Sequence, residues 1–127
     1  KTHDALKVAN TLLATGTTDR IERNDRCCGE SGTFAIARPD IATQVRFRKQ
    51  REMEAGAAKL RGDGFRGEVK VLTSCPSCLQ GLSRYDDDAG TGADYIVVEM
   101  ARHLLGPAWL ETYVQRANAG GIERVLV

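Results

Sequence analysis

The chain has four cysteines, arranged as two tight pairs: Cys27 beside Cys28, and Cys75 with Cys78 in Cys-Pro-Ser-Cys. The adjacent pair is the stronger constraint. On a strand, neighbouring side chains point to opposite faces, and an ordinary disulfide between them would strain the backbone. Gly29 follows at once and Gly32 comes three residues later, which frees the backbone around the thiols. An even number of cysteines suits two disulfides in a small secreted scaffold. At 127 residues, 42% of them hydrophobic, this chain can build a core without them. A reducing compartment is therefore expected, where clustered thiols mean metal or redox chemistry.

Composition narrows the field further. A formal net charge of +1 argues against a basic nucleic-acid-binding face. No apolar run approaches the roughly 20 residues of a membrane-spanning helix, and no charged-then-apolar leader is present. The chain starts at Lys1 in a helical pattern and reads as a piece of a longer one. The expected location is cytoplasmic, with peripheral attachment to an inner membrane only through such a parent.

Periodicity places the cysteines on elements. Ala5, Leu6, Val8, Ala9, Leu12 and Leu13 recur at helical spacing, with Gly16 as a stop. Residues 17–26 are polar and suggest a short strand at most. The Cys-Cys-Gly segment reads as a turn. Pro39 and Asp40 open a long helix to about Leu60, with Ile41, Val45, Met53, Ala57 and Leu60 on one side and Lys49 interrupting the stripe, its stem laid along apolar surface. Residues 62–67 form a glycine-rich loop. Residues 68–74 read as a strand delivering Cys75 at its carboxyl end, and Pro76 starts a helix to about Arg84. The acidic, glycine-rich stretch 85–94 reads as a surface loop, Tyr95–Val98 as a strand, and the following residues as a helix to Leu105. Gly106 and Pro107 break the chain, a further helix runs to about Ala119, and residues 122–127 close as a strand. The whole predicts a single α/β domain over residues 1–127, with a mostly parallel sheet flanked by helices. Sites in such sheets gather at the carboxyl ends of strands, where Cys75 falls.

Three chemistries compete for the thiols. A thioredoxin-like pair suits Cys75 and Cys78 at a helix start, where the dipole favours thiolate, but leaves Cys27 and Cys28 without a role. A four-sulfur structural zinc site matches the count, although zinc sites use two separated pairs. An iron–sulfur cluster also takes four thiolates. It is wide enough to be reached from divergent directions, so adjacent cysteines become usable once glycine bends the backbone. Amide groups around Gly29 and Gly32, and the hydroxyls of Ser31 and Thr33, could hydrogen-bond its sulfides.

The segments "CCGESGTF" and "SCPSCLQGL", separated by a helix rich in Arg and Lys, resemble the cysteine-rich CCG domain. That domain occurs in heterodisulfide reductase and in the iron–sulfur subunits of glycolate oxidase, anaerobic glycerol-3-phosphate dehydrogenase and lactate-utilisation proteins. The resemblance runs from Arg26 to about Leu105. The closing "YIVVEMARHLLGPAWLETYV" is similar to the C-terminal region of bacterial proteins that join an FAD-linked oxidase, of D-lactate dehydrogenase or glycolate oxidase type, to an iron–sulfur region. It implies metal ligation by Cys27, Cys28, Cys75 and Cys78, with Gly29 as the motif's glycine, and a 4Fe-4S-type cluster. It also implies electron transfer from a 2-hydroxy-acid-oxidising flavin domain, with FAD held outside this segment, to an acceptor such as a quinone. Two departures stand out. The family's upstream cysteine would lie ahead of Lys1, and the span from Cys28 to Cys75 is longer than usual, with the glycine-rich 62–67 region as the place for an insertion. No flavin fingerprint follows a strand: Gly62, Gly64 and Gly67 have the GxGxxG spacing but come after the long helix, and Gly29 and Gly32 do not have it.

The remaining candidates read as structural. His3 and His103 are isolated. Arg46, Arg48, Lys49 and Arg51 form a solvated helix face, Trp109 and Tyr113 pack at i, i+4, and Asp86, Asp87 and Asp88 belong to a solvated loop. Ser31 has no neighbouring histidine to activate it.

Overall fold

A computed structural model of the chain describes residues 9–11, 13, 20–30, 33–62 and 64–120. Residues 9–11 and 13 are helical. After the cysteine pair come a single helical turn, α1 (Phe34–Ala37), and the long helix α2 (Pro39–Arg61). Strand β1 (Val69–Thr73) leads to α3 (Pro76–Leu82), a 3-10 turn (Ser83–Tyr85), α4 (Asp86–Ala89) and strand β2 (Thr91–Tyr95). Helices α5 (Ile96–Leu105) and α6 (Trp109–Asn118) follow. The two strands pair in parallel, with Val69 opposite Thr91 and Thr73 opposite Tyr95. The segment from β1 to β2 is thus a compact strand–helix–strand unit in an α/β domain.

Helix α2 is well specified at both ends. Pro39 stands in its first turn with Asp40, and Lys59 and Arg61 stand in its last, each sign suiting the helix dipole. Its buried stripe is Ala42, Lys49, Met53 and Ala57. The stripe expected from apolarity is therefore rotated: Ala42 is fully buried while Ile41 is 39% exposed. The cause is close approach. Gly29, in the left-handed region at φ +79°, lies against α2, and a Cβ there would stand 3.3 Å from Cγ1 of Val45 and 3.6 Å from the carbonyl of Ala42.

The core gathers Cys28, Met53, Leu82, Tyr85 and Ala89, with Val71, Cys78 and Ala93 packed against it. It is pinned at its edges by polar groups reaching backbone. The Tyr85 hydroxyl donates to the carbonyl of Arg46 at 3.1 Å. Arg61 donates to the carbonyls of Ala89 at 3.1 Å and Gly90 at 2.5 Å, which accept where α4 ends in a left-handed Gly90.

Several sequence expectations are corrected here. Residues 96–98 are not strand but the first turn of α5, and the strand is Thr91–Tyr95. The stretch expected as loop, 85–94, instead holds α4 and most of β2. Gly90 turns the chain early, and parallel pairing with β1 recruits Thr-Gly-Ala-Asp-Tyr in spite of its weak strand propensity. Residues 21–26 form no strand. The single turn α1 is too short to show periodicity and has no counterpart among the expected elements. Lys1–Val8, Gly16 and the closing strand at 122–127 lie outside the described residues.

Thr91 is 1% exposed and its hydroxyl has no partner among the described residues. A buried hydroxyl left unpaired carries its desolvation cost. Replacement Thr91→Val, of the same shape, should stabilise the chain by about 1 kcal/mol, roughly 4 °C in Tm, as measured by thermal unfolding.

Candidate functional site

The segment that carries the first cysteine pair is held by a buried ammonium. Lys49, on α2, is 3% exposed. Its Nζ donates to the backbone carbonyl of Arg26 at 2.7 Å, to Glu52 at 2.9 Å and to the side-chain oxygen of Asn24. An ammonium has three protons, and here all three find acceptors. Glu52 completes the arrangement by accepting the backbone N–H groups of Asp25, at 3.0 Å, and Arg26, at 3.2 Å. Asn24 in turn lies 3.2 Å from the Met53 sulfur. Residues 24–26 are therefore clamped to α2 immediately before Cys27. Neither a solvated Lys49 nor one that snorkels to the surface is found. Burial raises the Glu52 carboxyl, but the Lys49 ammonium and the two backbone N–H groups outweigh it and hold the group below its usual value.

The residue after Gly29 is fixed just as firmly. The Glu30 carboxylate, on a side chain 9% exposed, pairs with Arg84, beyond α3, and lies 3.5 Å from Arg46 on α2. Its stem packs against Gly81 of α3, where a Cβ would run into Cβ and Cγ of Glu30. The glycine that ends Cys-Pro-Ser-Cys-Leu-Gln-Gly thus makes room for the residue that follows Cys-Cys-Gly.

These contacts bring the two cysteine motifs together. Cys28 is buried in the core at 6% exposure, and its Sγ lies 3.0 Å from Sγ of Cys78 on the first turns of α3. Cys75 occupies the N-cap of α3 in extended conformation, after β1 and ahead of Pro76. Its N–H donates to Oγ1 of Thr73 at 3.2 Å, and its thiol is exposed. Cys27 is also exposed, and its sulfur accepts the Gly29 N–H at 3.4 Å. The two C-x-x-C thiols are unlike. The N–H of Cys78, the Cys78 thiol and the N–H of Ser77 favour thiolate at Cys75 and lower it. Contact with Cys28, then burial, pushes the Cys78 thiol up to about 12. The geometry is a contacting pair, Cys28 and Cys78, with one exposed thiol from each motif. Among the described residues, no three or more His, Cys, Asp or Glu side chains are grouped as they stand to hold a metal ion. The two motifs supply four thiols, the donor type and number of a four-thiolate centre, and bring Cys28 and Cys78 into contact.

The other sequence candidates are distributed as follows. Thr33 is exposed, and its carbonyl accepts the N–H groups of Ile36 and Ala37 at 3.0 and 2.8 Å. Ser31, Gly32 and His3 lie outside the described residues. Arg48 and Arg51 are exposed, as are Asp86, Asp87 and Asp88, which sit on α4 rather than in a loop. His103 is exposed on α5, and Tyr113, expected to pack, is 52% exposed on α6. A cleft of about 850 Å³ opens away from the thiols, between residues 20–25, α2, the sheet and α5; Met53, Lys70, Thr91 and Glu99 line it, and no cysteine does. Sequence reasoning missed Asn24, Glu30, Glu52 and Gly81. The one local signal was the position of Lys49 inside an apolar stripe.

Residues 83–127 match the model of a family described as a domain of unknown function (DUF3400). The matched segment begins after both cysteine motifs and covers the 3-10 turn, α4, β2, α5 and α6. No curated protein and no solved structure matches the chain. No helix of the described residues is long and apolar enough to cross a membrane.

Two measurements test the clamp. Lys49→Met strands the Glu52 carboxylate, the Arg26 carbonyl and the Asn24 side-chain oxygen, and should cost about 3 kcal/mol in urea unfolding. Folded Glu52 titrates below the ordinary carboxyl value of 4.5, so unfolding takes up a proton as the solution is acidified. Its contribution is complete above about pH 4.5 and is lost as pH falls through the lower folded value. Unfolding free energy should therefore drop more steeply below pH 4.5 in the native chain than in Glu52→Gln.

Proposed function

We propose that the chain is an iron–sulfur electron-transfer module, in which Cys27, Cys28, Cys75 and Cys78 are the thiolate ligands of a 4Fe-4S-type cluster. The observation that carries this reading is the meeting of the two cysteine motifs, with Cys28 and Cys78 in contact although far apart in sequence. When bound, such a cluster accepts and passes on single electrons. The chain's own residues do the rest. Lys49 and Glu52 hold the backbone before Cys27. Gly29 turns that backbone in a conformation other residues rarely adopt. The amides at the start of α3 favour thiolate at Cys75. Loading requires the Cys28–Cys78 contact to open.

The resemblance of Cys-Cys-Gly and Cys-Pro-Ser-Cys to the CCG domain supports a place beside a flavin-linked oxidase of the 2-hydroxy acid type. There the module would relay electrons from FAD held on another domain to an acceptor such as a quinone. On this reading the chain makes and breaks no substrate bonds itself.

Anaerobic reconstitution with ferrous iron and sulfide tests the proposal. The expected product is brown, absorbs broadly in the blue and near-ultraviolet, contains iron and sulfide in roughly equal amounts, and gives a paramagnetic signal on reduction. Cys28→Ser and the exposed Cys75→Ser should each abolish or reshape that spectrum, the second without disturbing the core. Stoichiometric zinc with no chromophore under the same conditions would overturn it.

A further inference from the structure

The four thiols divide between solvent and core. Cys27 and Cys75 are exposed, Cys28 is buried and Cys78 is half-buried. The two inner sulfurs lie 3.0 Å apart, so the bond distance of about 2.05 Å is reached by an approach of about 1 Å. The adjacent pair, Cys27 and Cys28, resists ordinary disulfide geometry, whereas Cys78 faces Cys28 across the core. We propose that Cys28 and Cys78 form a disulfide across the core, and that exposed Cys75 is the entry point for oxidising equivalents from a low-molecular-weight disulfide.

The exchange balances in three steps. The Cys75 thiolate attacks one sulfur of the small disulfide, forming a mixed disulfide and releasing one small thiol. Cys78, next to Cys75 at the start of α3, attacks the Cys75 sulfur and releases the second small thiol. Cys28 then attacks the Cys78 sulfur, and Cys75 leaves as a thiolate. In total the two inner thiols give up two electrons and two protons, and one small disulfide becomes two thiols. Cys75 is regenerated and remains free to run the exchange backwards. The bond ties the segment ahead of α1 to α3 and closes a loop spanning a sequence separation of 50, which restricts the unfolded chain. It also withholds two of the four thiols from any metal. The proposal is independent of whether the reduced thiols hold a cluster.

The test uses the reduced, metal-free chain and oxidised glutathione. After quenching with iodoacetamide and digestion with trypsin, mass spectrometry should find two thiols lost per chain. The peptide Cys27–Arg46 should be joined to Val71–Arg84, with fragment ions placing the bond at Cys28 and Cys78. Cys27→Ser should keep that bond, and Cys78→Ser should remove it. Cys75→Ser should reach the same bond at least ten-fold more slowly. The oxidised chain should unfold at a higher temperature than the reduced one. A final product with Cys75 bonded to Cys78, a bond to Cys27, or no bond between the two peptides would overturn the proposal. An unchanged rate in Cys75→Ser would overturn the entry route. Reconstitution of the reduced chain is read separately by its spectrum, so colour without the cross-link sinks only the cross-link, and the cross-link without colour sinks only the cluster.

Discussion

One buried cation organises the cysteine end of this molecule. An ammonium removed from water is tolerable only when its charge and all its protons are met, and Lys49 satisfies that demand with Glu52, Asn24 and the Arg26 carbonyl. Two of those three partners belong to the irregular segment before the cysteines. The segment has no strand or helix ladder to hold it, so the hydrogen bonds to Lys49 and Glu52 take the ladder's place. The position of Cys27 and Cys28 follows from where that segment is fastened on α2. Replacing the ion pair with apolar groups would not reproduce this, because the pair orients backbone as well as filling space.

Downstream of the pair, the fastening passes from charge to packing. Glu30 reaches between Arg46 and Arg84, and Gly81 offers it a surface without a side chain. Cys28 sits in the same core as Met53, Leu82 and Tyr85, where a thiol behaves as a small hydrophobe. Its chemistry and its packing are therefore coupled. Any event that moves the Cys28 sulfur, whether metal binding or oxidation, acts on the core that positions it. The exposed Cys27 and Cys75 carry no such coupling.

The sheet explains why Cys75 and Cys78 are where they are. Parallel strands need a crossover, and β1 ends two residues before Cys75, so the crossover opens on the C-x-x-C motif. Carboxyl ends of parallel strands are where loops and helix N-termini converge. The far side of the unit is different in character. Helices α5 and α6 have no buried residues, and Leu104, Leu105 and Leu110 are each more than half exposed. Among the described residues this face belongs to the segment that matches the domain of unknown function, while the thiols lie outside it.

What the sequence determined by itself was local. Pro39 and Asp40 opened α2 and the glycine-rich 62–67 stretch closed it; residues 68–74, leading to Cys75 and Pro76, marked the strand and the helix start; Gly106 and Pro107 separated the last two helices. These are matters of propensity, capping and breaking, which act over a few residues. Only the tertiary structure decided that Ala42 and Lys49, not Ile41, face inward, because that depends on Gly29 lying against α2. It likewise decided that Thr91–Tyr95 is strand and Ile96–Val98 helix, since pairing with β1 outweighs β-branched composition. The contact of Cys28 with Cys78 belongs to the same class. It is set by Lys49, Glu30 and Gly81 acting between segments remote in sequence, and no local pattern encodes which partner a buried side chain will meet.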